Sequence, residues 1–352
     1  MNFQYSPLED AAAQIRLVTI CSFDITTEMI ELHITSHFIR DAPEFVAISY
    51  TWGSPSNLSS ISLNGTCFQV RENCYKALLQ CRQQNIKQYI WIDSICINQD
   101  NVDEKGPQVA MMSTLYRNAS RVLVSIQPSL RSEPRVGNVD PTALVALTNV
   151  IKEGLLSNRP RSANHDRDNL DSLVDEGGTL LAERRLPLRD AINGIVGAEY
   201  WTRLWILQEL AMSKQAYLML YGDLVDLEAL YLLTRISDRL EREALGDNPG
   251  GEPDEGPGGS ADQNQDDNSD ATPAELLDST SNTPMGLALA VRYMAPESSG
   301  LDLAGVLVRY SAWRCYDPRD RIYGTMAFIH WPGNRPIQVD YSMSKAELAC
   351  SL

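Results

Sequence analysis

A chain of 352 residues is long enough for one large domain or two modest ones. Its formal net charge of −16 argues against general nucleic-acid binding, which needs a basic stripe, and against an anionic membrane surface. The excess is local: ten acidic residues and no Lys or Arg fall between residues 245 and 283, so the charge outside that stretch is −6 and says little about a substrate.

Seven cysteines, an odd number with no CxxC pair, speak against a disulfide framework or a zinc site and for a reducing compartment. The first ten residues have neither a basic segment nor an apolar run, so no signal peptide is expected. No apolar run approaches the roughly 18 residues that span a bilayer, and a cytoplasmic location without membrane contact is the expectation. His33, His37, His165 and His330 lie in no metal-ligand spacing. Neither a P-loop nor a Gly-x-Ser-x-Gly elbow is present, so no metal or cofactor is expected.

In chain order, residues 15–20 (IRLVTI) and 29–34 (MIELHI) predict an N-terminal hairpin with Asp24 in its turn. Residues 45–50 (FVAISY) are apolar and β-rich, then break at Thr51-Trp52-Gly53-Ser54-Pro55. A continuous apolar strand ending in a Gly/Pro loop predicts a buried parallel strand, with Trp52 and Gly53 on the rim where such sheets take ligands. Trp52 as a simple cap of the sheet edge is an equal alternative. Residues 61–70 predict a second hairpin with Asn64-Gly65 at its turn, and 72–84 a helix. Residues 89–95 (YIWIDSI) predict another buried strand closed by Asp93, followed by a polar loop over 97–101. Asp93 there can bind a ribose hydroxyl or a metal, or cap the loop. Residues 104–118 predict an amphipathic helix, and 121–126 a third buried strand.

The pattern weakens over about 129–189, an expected insertion containing a helix near 142–155 and a polar loop around His165. Residues 189–213 then predict a helix around Tyr200-Trp201-Thr202-Arg203-Leu204-Trp205-Ile206-Leu207-Gln208-Glu209-Leu210, with Trp205 and Glu209 one turn apart on one face. Such a carboxylate is either one member of a structural pair or a group whose pKa is shifted for work. Residues 216–221 predict a fourth strand, and Asp226 the N-cap of a helix to 240. The acidic stretch 245–283 is too rich in Gly, Pro, Asp, Asn and Ser to bury a core and is expected to be disordered. Helices are predicted at 286–294 and 303–314, and Asp317-Pro318 starts another whose charges read as an ion-pair knot. The chain stops just after Asp340-Tyr341-Ser342 opens a further helix, as a chain truncated from a larger protein would.

The segments Ala47-Ile48-Ser49-Tyr50-Thr51-Trp52-Gly53, residues 91–99 (WIDSICINQ), residues 200–210 and Asp317-Pro318-Arg319-Asp320-Arg321-Ile322-Tyr323 resemble, in order and spacing, the signature blocks of the fungal heterokaryon-incompatibility (HET) domain. That resemblance implies a part in non-self recognition and programmed cell death. A more distant resemblance is to Toll/interleukin-1 receptor (TIR) domains, through Ile48-Ser49-Tyr50, Asp93, the strand at 122–126 and Trp205 to Leu210. It implies an α/β fold, a TIR-like or flavodoxin-like mostly parallel sheet flanked by helices, with a β-hairpin and helical insertions added.

The implied organisation is an N-terminal β-hairpin extension over 1–40, a HET domain over 41–240 with its insertion at about 129–189, the linker over 245–283, and a helical extension over 284–352. In catalytic TIR domains the matching glutamate serves NAD cleavage. By that resemblance Glu209 is the catalytic candidate, and Tyr50, Trp52, Gly53, Asp93, Asn98 and Trp205 are the substrate-binding candidates. Two readings stay open: an NAD+ glycohydrolase, with NAD as substrate, and a non-enzymatic signalling module. In either case the implied partners are an incompatibility or recognition protein and further copies of the chain in a homo-oligomer.

Overall fold

The computed structural model describes residues 3–126, 144–146, 148–149, 152, 192, 194–220, 222–234, 283–294 and 301–352. Apart from isolated positions, the insertion at about 129–189 and the acidic linker lie outside the described residues.

Among the described residues nine strands form one mixed sheet. β1 (Gln14–Asp24) and β2 (Met29–Phe38) are the expected antiparallel hairpin. β3 (Phe45–Tyr50) is followed by the hairpin of β4 (Leu58–Leu63) and β5 (Thr66–Arg71). Asn64 and Gly65 sit at φ 51° and 76°, the left-handed pair that a two-residue turn matched to strand twist demands. β6 (Tyr89–Trp91), β7 (Arg121–Ser125), β8 (Ala216–Leu220) and β9 (Asp223–Asp226) complete the order β5-β4-β2-β1-β6-β3-β7-β8-β9. The parallel arrangement holds across β6-β3-β7-β8. Outside that run β2 and β4 are also parallel, while the hairpins β1-β2, β4-β5 and β8-β9 and the β1-β6 pair are antiparallel, so the sheet as a whole is mixed rather than mostly parallel.

Helices cover the sheet: α1 (Glu72–Gln83), α2 (Asp93–Cys96), α3 (Val102–Ala110), α4 (Met112–Asn118) and α5 (Ile206–Ala211). All six residues of β3 are buried, so both of its faces are covered. Alternation along the strand sends Ser49 to one face, against α5, and Tyr50 to the other, against α1 and α2.

Several expected elements differ: the helix at 303–314 ends at Arg309, the one expected to start at Asp317-Pro318 is a single turn over Asp320–Tyr323, and three others change more. The strand at 89–95 stops at Trp91, because the Ile92 carbonyl accepts from the Ile95 and Cys96 amides and opens the single turn of α2. The helix at 104–118 is split at Met111. Pro107 lacks the N–H an interior helical residue donates, and the Met111 amide is shared between the Pro107 and Gln108 carbonyls. The helix over 200–210 is broken too. Glu199–Thr202 is a 3-10 turn, the chain extends at Arg203, and α5 begins at Ile206. The cause is a distant partner. The Arg314 amide donates to the Thr202 carbonyl at 2.6 Å and the Leu204 amide to the Arg314 carbonyl at 2.8 Å, occupying groups a continuous helix would use.

C-terminal to these lie helices at Pro284–Met294, Leu303–Arg309 and Lys345–Ser351, the last opened by a capping box from Ser344 and Glu347. No helix among the described residues is long and apolar enough to cross a membrane.

Candidate functional site

The carboxyl ends of β3 and β6 lie side by side, and most of the candidate side chains gather there. Glu209, on the first turn of α5, is only 3% exposed. Its Oε2 accepts the hydroxyl of Ser49, and the Tyr200 hydroxyl lies 2.5 Å from the same Ser49 oxygen. Burial pushes the Glu209 carboxyl up to about 7; the Arg203 charge and the Ser49 hydrogen bond oppose the rise, and Asp93 adds to it.

Asp93 opens α2. Its Oδ2 accepts the Trp52 indole N–H at 2.7 Å, and its Oδ1 the Ser94 amide at 2.7 Å. Burial raises its pKa, against the Trp52 hydrogen bond and the Arg203 charge. The Arg203 charge thus favours the ionised form of both carboxylates, and its guanidinium donates to the Tyr50 carbonyl at the end of β3. Trp52 carries the Arg71 guanidinium 5.0 Å above its ring, while Arg71 donates to the Gly53 carbonyl at 2.9 Å. Gly53 has φ +75°, and a Cβ there would stand 2.7 Å from the Asn73 Nδ2 that holds the Thr51 carbonyl.

Tyr50, Trp52, Gly53, Asp93 and Glu209 therefore share one rim, with Tyr50 turned to the opposite face of the sheet, where its hydroxyl donates to Ser94 at 2.6 Å. The other two candidates point elsewhere. Trp205 donates to Asp320 at 3.1 Å, toward the C-terminal segment, although the Glu209 amide does bond the Trp205 carbonyl one turn back. Asn98 lies in the loop before α3, where its amide donates to Glu104, itself paired with Arg16. The Asp317 block is an ion-pair knot: Arg319 grips Asp317 at 2.6 Å and donates to the Tyr341 and Met343 carbonyls.

Ser49, Tyr200 and Arg203 were not singled out by sequence reasoning. A signal existed for two of them: Ser49 is the one non-apolar residue of β3 besides Tyr50, and Arg203 is the only charge between Trp201 and Trp205. Among the described residues no group of three or more His, Cys, Asp or Glu is placed to hold a metal ion.

Fold and site together define an α/β domain with a mixed sheet, nine-stranded among the described residues, that carries a buried glutamate and a half-buried aspartate where its parallel strands end. Residues 45–209, slightly under half of the chain, match the family model described as Heterokaryon incompatibility protein (HET), which places a HET domain in that span. A curated relative, "Heterokaryon incompatibility protein 6, OR allele" of Neurospora crassa, is 31% identical over 142 residues, which is 37% of this chain. The match takes in 21% of that relative, so the chain spans about a fifth of its length. No solved structure matches the chain.

Proposed function

We propose that this chain is an effector of heterokaryon incompatibility in the cytoplasm, and that it kills by NAD glycohydrolysis through Glu209. The supporting observation is the Glu209 carboxylate, raised to about 7 beside Arg203 and Asp93 at the carboxyl ends of parallel strands, where α/β sheets take ligands. Cleavage of the nicotinamide–ribose bond passes through an oxocarbenium-like state. Nicotinamide leaves with the bonding electron pair, ionised Glu209 stabilises the ribosyl cation, and water forms the new C–O bond and gives up a proton. The products are nicotinamide and ADP-ribose. A ribose hydroxyl would replace the Ser49 hydroxyl on Glu209, and the Trp52 indole would stack on a ring. Positioning and electrostatics would supply most of the rate.

The test is chromatography of NAD incubated with concentrated purified protein, wild type against Glu209→Gln. Nicotinamide release by the wild type, lost by at least 100-fold in the variant, supports the reading. NAD left intact by folded, assembled wild type overturns it.

The near-complete burial of Glu209 favours a second reading, a signalling module that works by self-assembly and by binding an incompatibility or recognition partner. On that reading Glu209→Ala, if it folds and assembles, keeps its toxicity in fungal cells.

A further inference from the structure

Three buried oxygen-bearing side chains meet at the heart of the site, from three different elements: Ser49 from β3, Tyr200 from the 3-10 turn and Glu209 from α5. Each is at most 3% exposed, so water cannot freely substitute for any of them. Their proton count decides how they are wired. An ionised carboxylate only accepts. Ser49 has one proton, and with Glu209 ionised that proton goes to Oε2. The Ser49 oxygen must then accept from Tyr200, which stays protonated because burial raises its pKa far above the usual tyrosine range. The direction of donation is Tyr200 to Ser49 to Glu209. When Glu209 gains a proton on Oε1, Oε2 still accepts from Ser49; only a proton on Oε2 itself makes the carboxyl the donor and turns the Ser49 proton toward the Tyr200 oxygen.

We propose that Ser49 and Tyr200 are positioning residues: a two-hydroxyl relay that orients the Glu209 carboxylate and favours its ionised form. The inference rests on the reading of Glu209 as the working group, and it names two residues through which that group is held. The relay is the donor side of a larger balance. The charged and titratable groups facing Glu209 are Arg203 from the extended link before α5, Asp93 from α2, Tyr200 from the turn and Tyr116 from α4. Arg203 favours the carboxylate and Asp93 opposes it, so the relay's hydrogen bond works with Arg203 against burial and Asp93. The relay also explains why a serine stands in an otherwise apolar central strand. Alanine or valine would fill the same space in the core but would leave the carboxylate with no hydroxyl donor from the strand.

The experiment follows the Glu209 δ-carbon by NMR in protein carrying carbon-13-labelled glutamate, with Glu209→Gln used to assign its resonance. The full chain is titrated as wild type, Ser49→Ala and Tyr200→Phe. Loss of the Ser49 donor is expected to move the Glu209 midpoint upward by about one pH unit, a tenfold change in its ionisation equilibrium. Tyr200→Phe is expected to move it the same way by less, because Ser49 keeps its proton but loses its orientation. The acid limb of NAD cleavage should shift upward with the midpoint, a readout that simple loss of stability does not move. If Ser49→Ala fails to fold, Tyr200→Phe decides alone. An unchanged midpoint in the folded variants overturns the relay even where the wild type cleaves NAD. Intact NAD with a shifted midpoint overturns the enzymatic reading and leaves the relay standing.

Discussion

Glu209 makes folding itself depend on pH. Its carboxyl titrates near 7 in the folded chain and near its ordinary 4.5 when unfolded. Between those values the folded state holds a proton that the unfolded state has lost, so stability falls as pH rises from about 4.5 to 7 and levels off above. The shift corresponds to roughly 3 kcal/mol. Asp93 and Asp320 are raised in the same direction and add to the slope. Glu209→Gln removes one contributor, so the stability lost between pH 5 and pH 8 in urea denaturation should shrink by about 2–3 kcal/mol relative to wild type; an identical loss in both proteins would mean that Glu209 does not hold the proton. At the rim, Gly53→Ala meets two obstacles, φ +75° and a 2.7 Å approach to Asn73 Nδ2, and should cost about 1–2 kcal/mol in the same assay. That Trp52 and Asp93 lie together was legible because both follow buried strands, whereas Glu209 was reached through its helix and the resemblance to TIR domains. Ser49 stands out only as a hydroxyl in an apolar strand, and nothing local says that its partner lies 160 positions away.

At the scale of the element, α5 is six residues long and too short to hold itself, so its position comes from its neighbours. Before its first turn the chain is pinned to Arg314, and Trp205 is pinned to Asp320, which also accepts from Tyr341 at 2.8 Å. Past its last turn, Arg292 donates to the carbonyls of Leu210 and Ser213 at 2.8 Å and of Lys214 at 3.0 Å. That guanidinium supplies what a C-terminal cap normally does, satisfying carbonyls that have no helical partner. Arg292→Ala should therefore lower stability by about 2 kcal/mol and speed amide hydrogen exchange at the end of α5. Exchange there matching the wild type would show that the helix end is held by other means. Helical spacing gave a continuous helix over 200–210, and the hydrophobic pattern does support one. The break could not be read locally, since the backbone groups that cause it belong to Arg314, more than a hundred residues on.

Across the whole molecule, the family match begins at residue 45, but the sheet does not begin there. β1 lies between β2 and β6, so the N-terminal hairpin belongs to the same sheet as the strands that carry the site. The hairpin was legible from two β-rich runs with a turn between them, whereas its place in the sheet was not, because β1 meets β6 through a single register pair, Val18 with Ile90. Beside the junction a buried ion pair links β1 to α3. Arg16 on β1 donates to both Glu104 oxygens on α3, at 2.6 and 2.8 Å, and Glu104 also takes the Asn98 amide. Arg16 reaches the Ser6 carbonyl as well and lies 4.8 Å over the Tyr5 ring, so the pair ties the first residues, the hairpin and the 97–104 loop together. Such a pair stabilises little compared with well-packed apolar groups, because both charges have left water. Breaking it from one side is another matter, since the remaining charge stays buried. Glu104→Ala should cost about 3–5 kcal/mol, and Arg16→Met combined with Glu104→Leu should recover most of that loss. Chemical denaturation of the two single variants and the double variant measures the coupling. A double variant as unstable as the sum of the singles would mean that the two side chains act independently, and that the hairpin is held to the sheet by its apolar face alone.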